Sequence, residues 1–538
     1  MRANRLALLS GLCLIVMLAG CGRQLGTVRL SKEAYIDKCK GAWAGQMIGV
    51  CYGEPYQFQY NGQIVPAPLR EWKPELVEGA IRQDDVYVEL TFLAALEAHG
   101  LDITPEQAGL AFAATPYPLW HANLYGRLNI RNGIMPPLSG HPKYNRHADD
   151  IDFQIEADLL GIICPGLPHE SNRLCDIFGH IMNHGDGVYG GMFMAGMYTE
   201  AYFESDDVVK VIRAGMACIP KESSYYQCID DTLRWCRQYP DDWTEVWRRV
   251  EEKYNDDVDC IPGNPHNIDA RINGAYTVIG LMYGGGDLLK TIEVCTRCGQ
   301  DADSSTANAG GIIGCMKGYN ALDPRLTSGI PAIADQKFLG TDYSFNTLVP
   351  ACLRVTEAIV RRTGGEVIDD ALLIARQSPR APETLESWPD KREMVRAPVT
   401  QHEIDLWNSQ FKRVEIQSKF DGGFYPREYG RTNVLQIMPI TPAQPVAIEA
   451  RMQVPDSSKP SLKLELASDT QHGDYRVKVF VNDRLVGDTV VRTDDGEFAI
   501  HRFELGDVAA GSTATIRIEF HANDWAVNSA FIRNVVME

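Results

Sequence analysis

Apolar residues recur every three to four positions over roughly the first two thirds of the chain, and every second position over the last third. Residues 33–49 place Ile36, Cys39, Trp43, Met47 and Ile48 near helical spacing. Residues 86–98 (VYVELTFLAALEA) continue one stripe through Leu90, Leu93 and Leu96. Residues 151–163, 206–219, 227–238 and 305–318 keep the same period, and Gly and Pro punctuate between them, as at Cys164-Pro165-Gly166 and Asn264-Pro265. The pattern predicts one large, mostly α-helical domain over residues 31–375. Its many Gly, Ala and Cys positions suit close helix packing.

Residues 376–400 are rich in proline and charge, a composition that favours an extended linker over a packed element. Beyond them the period becomes two. Val446, Ile448 and Ala450 alternate with Ala447, Glu449 and Arg451; Leu462, Leu464 and Leu466 alternate with Lys463 and Glu465. Val477, Val479 and Val481 lead into an Asn482-Asp483 turn, Ile516, Ile518 and Phe520 form another strand, and Phe531 to Met537 closes the chain. This predicts a β-sandwich over residues 401–538. It resembles the jelly-roll accessory domains of secreted carbohydrate-active enzymes. The expected fold class is therefore a large all-α domain followed by a jelly-roll-like β-sandwich.

The N-terminus adds a compartment. Arg2 and Arg5 precede an apolar run from Leu6 to Leu18, too short to be a stable membrane span. Leu18-Ala19-Gly20-Cys21 resembles a bacterial lipobox, which implies that residues 1–20 are a signal peptide and that Cys21 is lipidated. The expected product is a cell-envelope lipoprotein, periplasmic or surface-facing, anchored to the membrane through Cys21. Composition is ordinary for a globular protein, with 45% hydrophobic and 23% charged residues, which excludes a wholly disordered, collagen-like or polytopic membrane chain. The net charge of −19 argues against a nucleic-acid partner, because binding phosphates needs clustered Lys and Arg. It is compatible with a metal-cation site or a neutral small-molecule or glycan substrate. Of the 14 cysteines, those after Cys21 lie between Cys39 and Cys352, too dispersed for a small disulfide scaffold. The Cys295–Cys298 pair offers two metal ligands instead of four and reads as buried thiols on a helix.

Two segments carry the chemistry. Arg82-Gln83-Asp84-Asp85-Val86 opens one helix, and Gly299-Gln300-Asp301-Ala302-Asp303-Ser304-Ser305 opens another. Taken singly, each is what the helix dipole favours, acids in a first turn. Brought together, four carboxylates repel unless a cation lies among them. Hard divalent ions with oxygen ligands suit such a cluster, and paired ions recur in hydrolytic sites.

At this point the sequence resembles the ADP-ribosylglycohydrolases, including the dinitrogenase-reductase-activating type, from roughly Tyr35 to Pro324. Gly41-Ala-Trp-Ala-Gly45-Gln-Met-Ile-Gly49-Val-Cys-Tyr-Gly53-Glu-Pro55 is similar to the family's opening helix and glycine loop. Gln83-Asp84-Asp85 is similar to its first metal motif, and Cys298 to Ser304, followed by Gly310, Gly314 and Gly318, to its second. The resemblance implies an all-α fold, two Mg²⁺ ions at a cleft (Ca²⁺ or Mn²⁺ being alternatives), and hydrolysis of a glycosidic bond at C1″ of an ADP-ribosyl group. It implies Asp84, Asp85, Asp301, Asp303 and Ser304 as metal ligands. Four positions depart from the family's pattern. Gln83 replaces a usual Thr, Val50-Cys51 replaces Asp-Ala, and Gln57 stands near a usual acid, with Glu54 close by.

The middle of the chain offers further acids. Asp152 and Glu156, four residues apart, face one side of a helix that continues into an apolar run, so they are candidates for proton transfer, with Glu54 as a third. The alternative for this segment is a solvated helical face. His184-Gly185-Asp186-Gly187 is a polar glycine loop before a helix, and His184, Asp186, Gly187 and Gln83 are candidates for substrate contact. Trp120 and His121 suit a core more than a stacking platform. Two functions follow: a metal-dependent glycosyl hydrolase acting on a glycoside or an ADP-ribosyl-type substrate, or a metal-binding protein that recognises a sugar without cutting it.

Overall fold

The computed structural model describes residues 26–145, 147–255, 268–386, 401–414, 422–428, 431–437, 439, 445–468, 474–493, 497–523 and 530–538. The signal segment with Cys21, and most of the predicted linker, lie outside the described residues. Among those described, no helix is long and apolar enough to cross a membrane.

The helical domain is organised around its opening helix, Lys32–Gly53. Ser31 caps it by accepting the Ala34 N–H at 3.1 Å. From Tyr35 onward most of its residues are buried on all sides, which is why it shows no amphipathic face. Its partner is the helix Ala302–Lys317, which runs antiparallel to it. Gly41 meets Gly314, Gly45 meets Gly310, Gly49 meets Thr306 and Gly53 meets Ala302, backbone against backbone. A Cβ at Gly41, Gly45 or Gly49 would overlap the facing carbonyl oxygen. The four-residue glycine spacing is therefore a steric requirement.

Other predicted helices are present: Asp84–His99, Val208–Met216 and Ser224–Gln238. The segment predicted as one helix over 151–163 is two short ones, Asp152–Glu156 and Asp158–Ile162, joined at Ala157 (φ −83°, ψ −8°). One small sheet was not foreseen. Thr27–Ser31 pairs antiparallel with Ala371–Ala375, which also pairs with Glu366–Val367. Five-residue apolar strands are too short to show a period, yet this sheet ties the two ends of the helical domain together.

Beyond the linker, the helix Gln401–Asn408 precedes two five-stranded antiparallel sheets. The first runs Arg484–Val491, Tyr475–Val481, Thr513–Ala522, Val446–Gln453, Phe411–Arg413. The second runs Ala499–Glu504, Ser461–Ser468, Ala530–Met537, Arg431–Ile437, Gly422–Glu428. Alternating residues such as Leu462, Leu464, Leu466, Val477, Val479, Ile516 and Ile518 fill the space between them. Asn482 and Asp483 both take positive φ, at 46° and 64°, as a two-residue hairpin turn requires. Val434, Ala467 and Phe531 of the sandwich join the core of the helical domain. The fold is thus an all-α domain followed by a β-sandwich. The eleven described cysteines are free and buried, all in the helical domain or its closing helix.

Because the helix pair touches through backbone, a single methyl there forces the axes apart. Gly45→Ala is expected to destabilise the helical domain by about 3 kcal/mol. Denaturant unfolding of the two proteins checks this; equal midpoints would show that the pair tolerates separation.

Candidate active site

The glycine-packed helix pair fixes where the acids lie. It holds Gly53, the last residue of the opening helix, against Ala302 and Asp303, so the loop that follows must cross the start of the second helix. In that loop Phe58 N–H donates to the Gln300 carbonyl at 2.8 Å, and Gln57 Nε2 donates to Asp301 Oδ1 at 3.1 Å. Gly299 (φ +83°) and Gln300 (φ +53°) take the left-handed conformation, and a Cβ at Gly299 would overlap the Tyr60 carbonyl oxygen. Asp301 then stands at the N-cap position of the helix Ala302–Lys317 without a side-chain capping bond, and Asp303 sits in its first turn. Gln83, in extended conformation (φ −88°, ψ 132°), leads into Asp84 and Asp85 at the first turn of Asp84–His99.

These acids share one field. Asp84 is pushed up to about 6, by burial first and then by the negative charge of Asp301. Asp85 is raised well above the usual carboxylate range by burial, then by Asp84 and Asp301. Asp303 is raised in the same way by burial, then by Asp301 and Asp85, and Asp301 is raised by burial, partly offset by Asp303, Gln57 and Ser304. Both oxygens of Asp85 and one of Asp303 are buried without a hydrogen-bond donor. Leaving such oxygens unpaired is costly, and a divalent cation is the partner that removes the cost. The residues present therefore fit the metal that the sequence motifs imply, with Ser304 beside them as a neutral oxygen.

A second tier adjoins the first. The helix Asp152–Glu156 buries both of its acids. Asn123 N–H donates to Asp152 Oδ1 at 3.0 Å, and Asn123 Nδ2 donates to Glu156. Burial raises Asp152 to about 7, with His121 opposing and Asp150 reinforcing the shift. Glu156 is raised well above its usual range by burial and by Asp152, and it also feels Asp84 and Asp85. Asp150 is gripped by two imidazoles, His147 Nδ1 at 2.6 Å and His121 Nδ1 at 3.3 Å. Burial would raise Asp150, but the two histidines outweigh it and hold the carboxylate low. His121, Asp150 and His147 also form a group that could hold a metal ion.

A third tier lies deeper. Glu89, one turn after Asp85, accepts from Gln46 and from the Leu159 N–H at 2.6 Å. Asp158 accepts from the Tyr198 hydroxyl at 2.8 Å and from Asn308 Nδ2 at 3.0 Å, and burial raises it to about 8.

Asp84, Asp85, Asp301, Asp303 and Ser304 are brought together, with Gln83 at their edge and Asp152 and Glu156 adjoining. Glu54 is exposed at the end of the opening helix and is not among the charges that perturb the four acids. The loop's contact with them runs through Gln57. The loop His184–Gly187 backs onto the second tier: His184 N–H donates to the Ala148 carbonyl at 2.8 Å, Asp186 Oδ1 accepts the Tyr225 N–H at 3.2 Å, and Gly187 packs on Ala148 and on Asn183, whose Nδ2 donates to the Asp150 carbonyl at 2.8 Å. Sequence reasoning missed Glu89 and Asn123. Glu89 had a legible signal, as an acid flanked by apolar residues on a helix, one turn from Asp85. Asn123 had none.

A family model described as ADP-ribosylglycohydrolase matches residues 31–362. The chain belongs to the ADP-ribosylglycohydrolase family. The match covers the helical domain from the cap of its opening helix to the last turn before the closing strands. Comparison with curated proteins gives no match. Among solved structures, an ADP-ribosylglycohydrolase-related protein complex aligns at 15% identity and a TM-score of 0.38, covering 60% of this chain and 99% of the other. A carbohydrate-binding module of family 29 aligns at 13% identity and a TM-score of 0.16, covering 24% of this chain and 91% of the other. Similarities this distant carry no argument about ligand or chemistry.

The raised acids make cation binding and stability depend on pH. A carboxyl whose folded value lies above its unfolded value near 4 contributes stability fully present below that value. The contribution is lost as pH rises through about 6 at Asp84, about 7 at Asp152 and about 8 at Asp158. Cation-free protein is therefore expected to melt at a lower temperature at pH 8 than at pH 5.5. The rise in melting temperature on adding Mg²⁺ or Mn²⁺ is expected to be larger at the higher pH, since the ligands must lose protons to bind. Thermal melts with and without chelator check this. Equal shifts at both pH values would count against carboxylates as the ligands.

Proposed function

We propose that the protein is a metal-dependent glycosyl hydrolase that cleaves a glycosidic bond in an extracytoplasmic glycoside, with ADP-ribosyl groups as the related substrate class. The observation that carries this reading is the set of buried, unpaired carboxylate oxygens on Asp85 and Asp303, inside a domain that belongs to a glycohydrolase family. Two Mg²⁺ ions held by Asp84, Asp85, Asp301, Asp303 and Ser304 would bind vicinal sugar hydroxyls and polarise a water. The remaining chemistry belongs to the chain. Asp152, raised to about 7, holds a proton at neutral pH and can donate it to a leaving oxygen. The Asn123 N–H fixes Asp152 Oδ1, leaving Oδ2 as the oxygen available to transfer it. The paired histidines keep Asp150 ionised nearby, so a negative charge faces the positive charge that develops at the anomeric carbon. Gln57, in place of an acid, donates to Asp301 and lowers it, which favours the ionised ligand.

The lipid anchor expected at Cys21, together with the β-sandwich that follows the helical domain, favours a glycan as the substrate. A protein attached to the cell envelope meets glycans more often than ADP-ribosylated cytoplasmic proteins. Release of reducing sugar from a glycan panel, and of ADP-ribose from modified peptides, tests the reading. Asp301→Ala is expected to lose more than about 100-fold in turnover, beyond the loss typical of a residue that only supports a ligand. Asp152→Asn is expected to lose about 100-fold or more with substrate affinity retained. If wild type with Mg²⁺ binds one of these substrates and turns over none, the protein recognises a sugar without cutting it.

A further inference from the structure

A second group of metal-ligating side chains stands apart from the acids. His180 ends the helix Pro168–Gly179, His184 follows in the loop before Asp186–Ala201, and Glu386 comes from the segment that leaves the closing strand Ala371–Ala375. His180 Nε2 lies 2.9 Å from Glu386 Oε1, and His184 Nδ1 lies 3.4 Å from Glu386 Oε2. One ligand atom from each of the three falls within 4.8 Å of the others. His141 flanks them, its ring 4.8 Å from that of His184, with its Nδ1 accepting the Lys143 N–H at 3.1 Å.

We propose that His180 Nε2, His184 Nδ1 and the Glu386 carboxylate hold one transition-metal ion of the Zn²⁺ type. The ion fastens the segment between the two domains to the helical body. The orientation of His180 is that of a ligand: its Nδ1 sits 2.7 Å from the Asp176 carbonyl, which sets the ring so that Nε2 faces Glu386, and a bound ion would take the place of the Nε2 hydrogen shared with that carboxylate. The spacing fits as well. Bonds of about 2.1 Å in a tetrahedral site place ligand atoms roughly 3.4 Å apart, close to the distances seen. Two imidazoles and one carboxylate select Zn²⁺ or a neighbour in the first row over Mg²⁺ or Ca²⁺, which require oxygen. The fourth position falls to His141 Nε2 or to water.

Glu386 is already seated for this role. Gly185 N–H donates to its Oε2 at 3.0 Å, and its own N–H donates to the Tyr189 hydroxyl at 2.5 Å. The first helical turn after His184 is therefore tied to the interdomain segment by the same residue that would complete the metal site. The proposal stands independently of the hydrolase reading, because none of its residues perturbs the four acids.

The full-length chain, stripped with chelator and kept in excess Mg²⁺, is titrated with Zn²⁺ by calorimetry and with Co²⁺ by visible absorption. Wild type is expected to take up an equivalent of Zn²⁺ that Mg²⁺ does not displace, and Co²⁺ to show the spectrum of a tetrahedral site. His184→Ala and Glu386→Gln are each expected to remove that equivalent. Asp150→Asn, which disturbs the other histidine group, and Asp303→Asn are expected to leave it. Glu386→Gln keeps size and hydrogen-bonding capacity, so its circular dichroism separates lost metal from lost fold. Wild type without such an equivalent, or folded Glu386→Gln that binds Zn²⁺ as tightly as wild type, overturns the proposal and leaves a hydrogen-bonded clamp.

Discussion

The contact between the backbones of Lys32–Gly53 and Ala302–Lys317 is the constraint on which the site depends. Glycine or another small residue at every fourth position lets the two axes approach until carbonyl oxygens fill the space that side chains would take. The pair is antiparallel, so the end of one helix lies at the start of the other. This puts the loop carrying Gln57 across Asp301 and sets Asp303 under Gly53. Widening the pair by one methyl would shift the start of the second helix relative to Asp84 and Asp85, which belong to a different element. The glycine stripe and the acid motif are therefore one device, although some 250 residues separate them in sequence.

Around that device the chain buries acids in tiers. The deepest, Glu89 and Asp158, are answered by neutral donors from Gln46, Leu159, Tyr198 and Asn308, which stabilise them without adding charge. Asp85 and Asp303 keep buried oxygens without a hydrogen-bond partner. Between them Asp152 is half answered, with one oxygen held by Asn123 and one left open. Satisfied acids set the architecture, and unsatisfied ones mark the candidate cation site. Four like charges raised together would oppose folding above neutral pH if nothing compensated them, so a bound cation would contribute to the stability of the domain as well as to its chemistry.

Much of this was legible in the sequence. The change of period from helical to alternating marked the two domains, because each buries its apolar residues in a different geometry. The Asp84-Asp85 and Asp301-Ala-Asp303-Ser304 motifs were legible because helix N-termini position acids locally. What was not legible depended on tertiary contact. The strands Thr27–Ser31 and Ala371–Ala375 are too short to show a period and find each other only across the whole helical domain. The break at Ala157, between Glu156 and Asp158, carries no Gly or Pro to mark it. Glu54 was the nearer acid in the sequence, but the end of the opening helix leaves it exposed and brings Gln57 inward instead. His184 and Asp186 read as a substrate loop by composition, and their contacts with Ala148, Tyr225 and Glu386 could not be read from it. A loop's direction is set by what it packs on, and composition does not encode that.

The central claim is that four carboxylates, gathered by the glycine-packed helices, share bound divalent cations. Crystals of the chain soaked with Mn²⁺ and measured at the manganese absorption edge test it most directly. The account predicts anomalous density among Asp84, Asp85, Asp301 and Asp303, within bonding distance of the Asp85 and Asp303 oxygens that lack donors. Full manganese occupancy elsewhere with none among those four residues would contradict it.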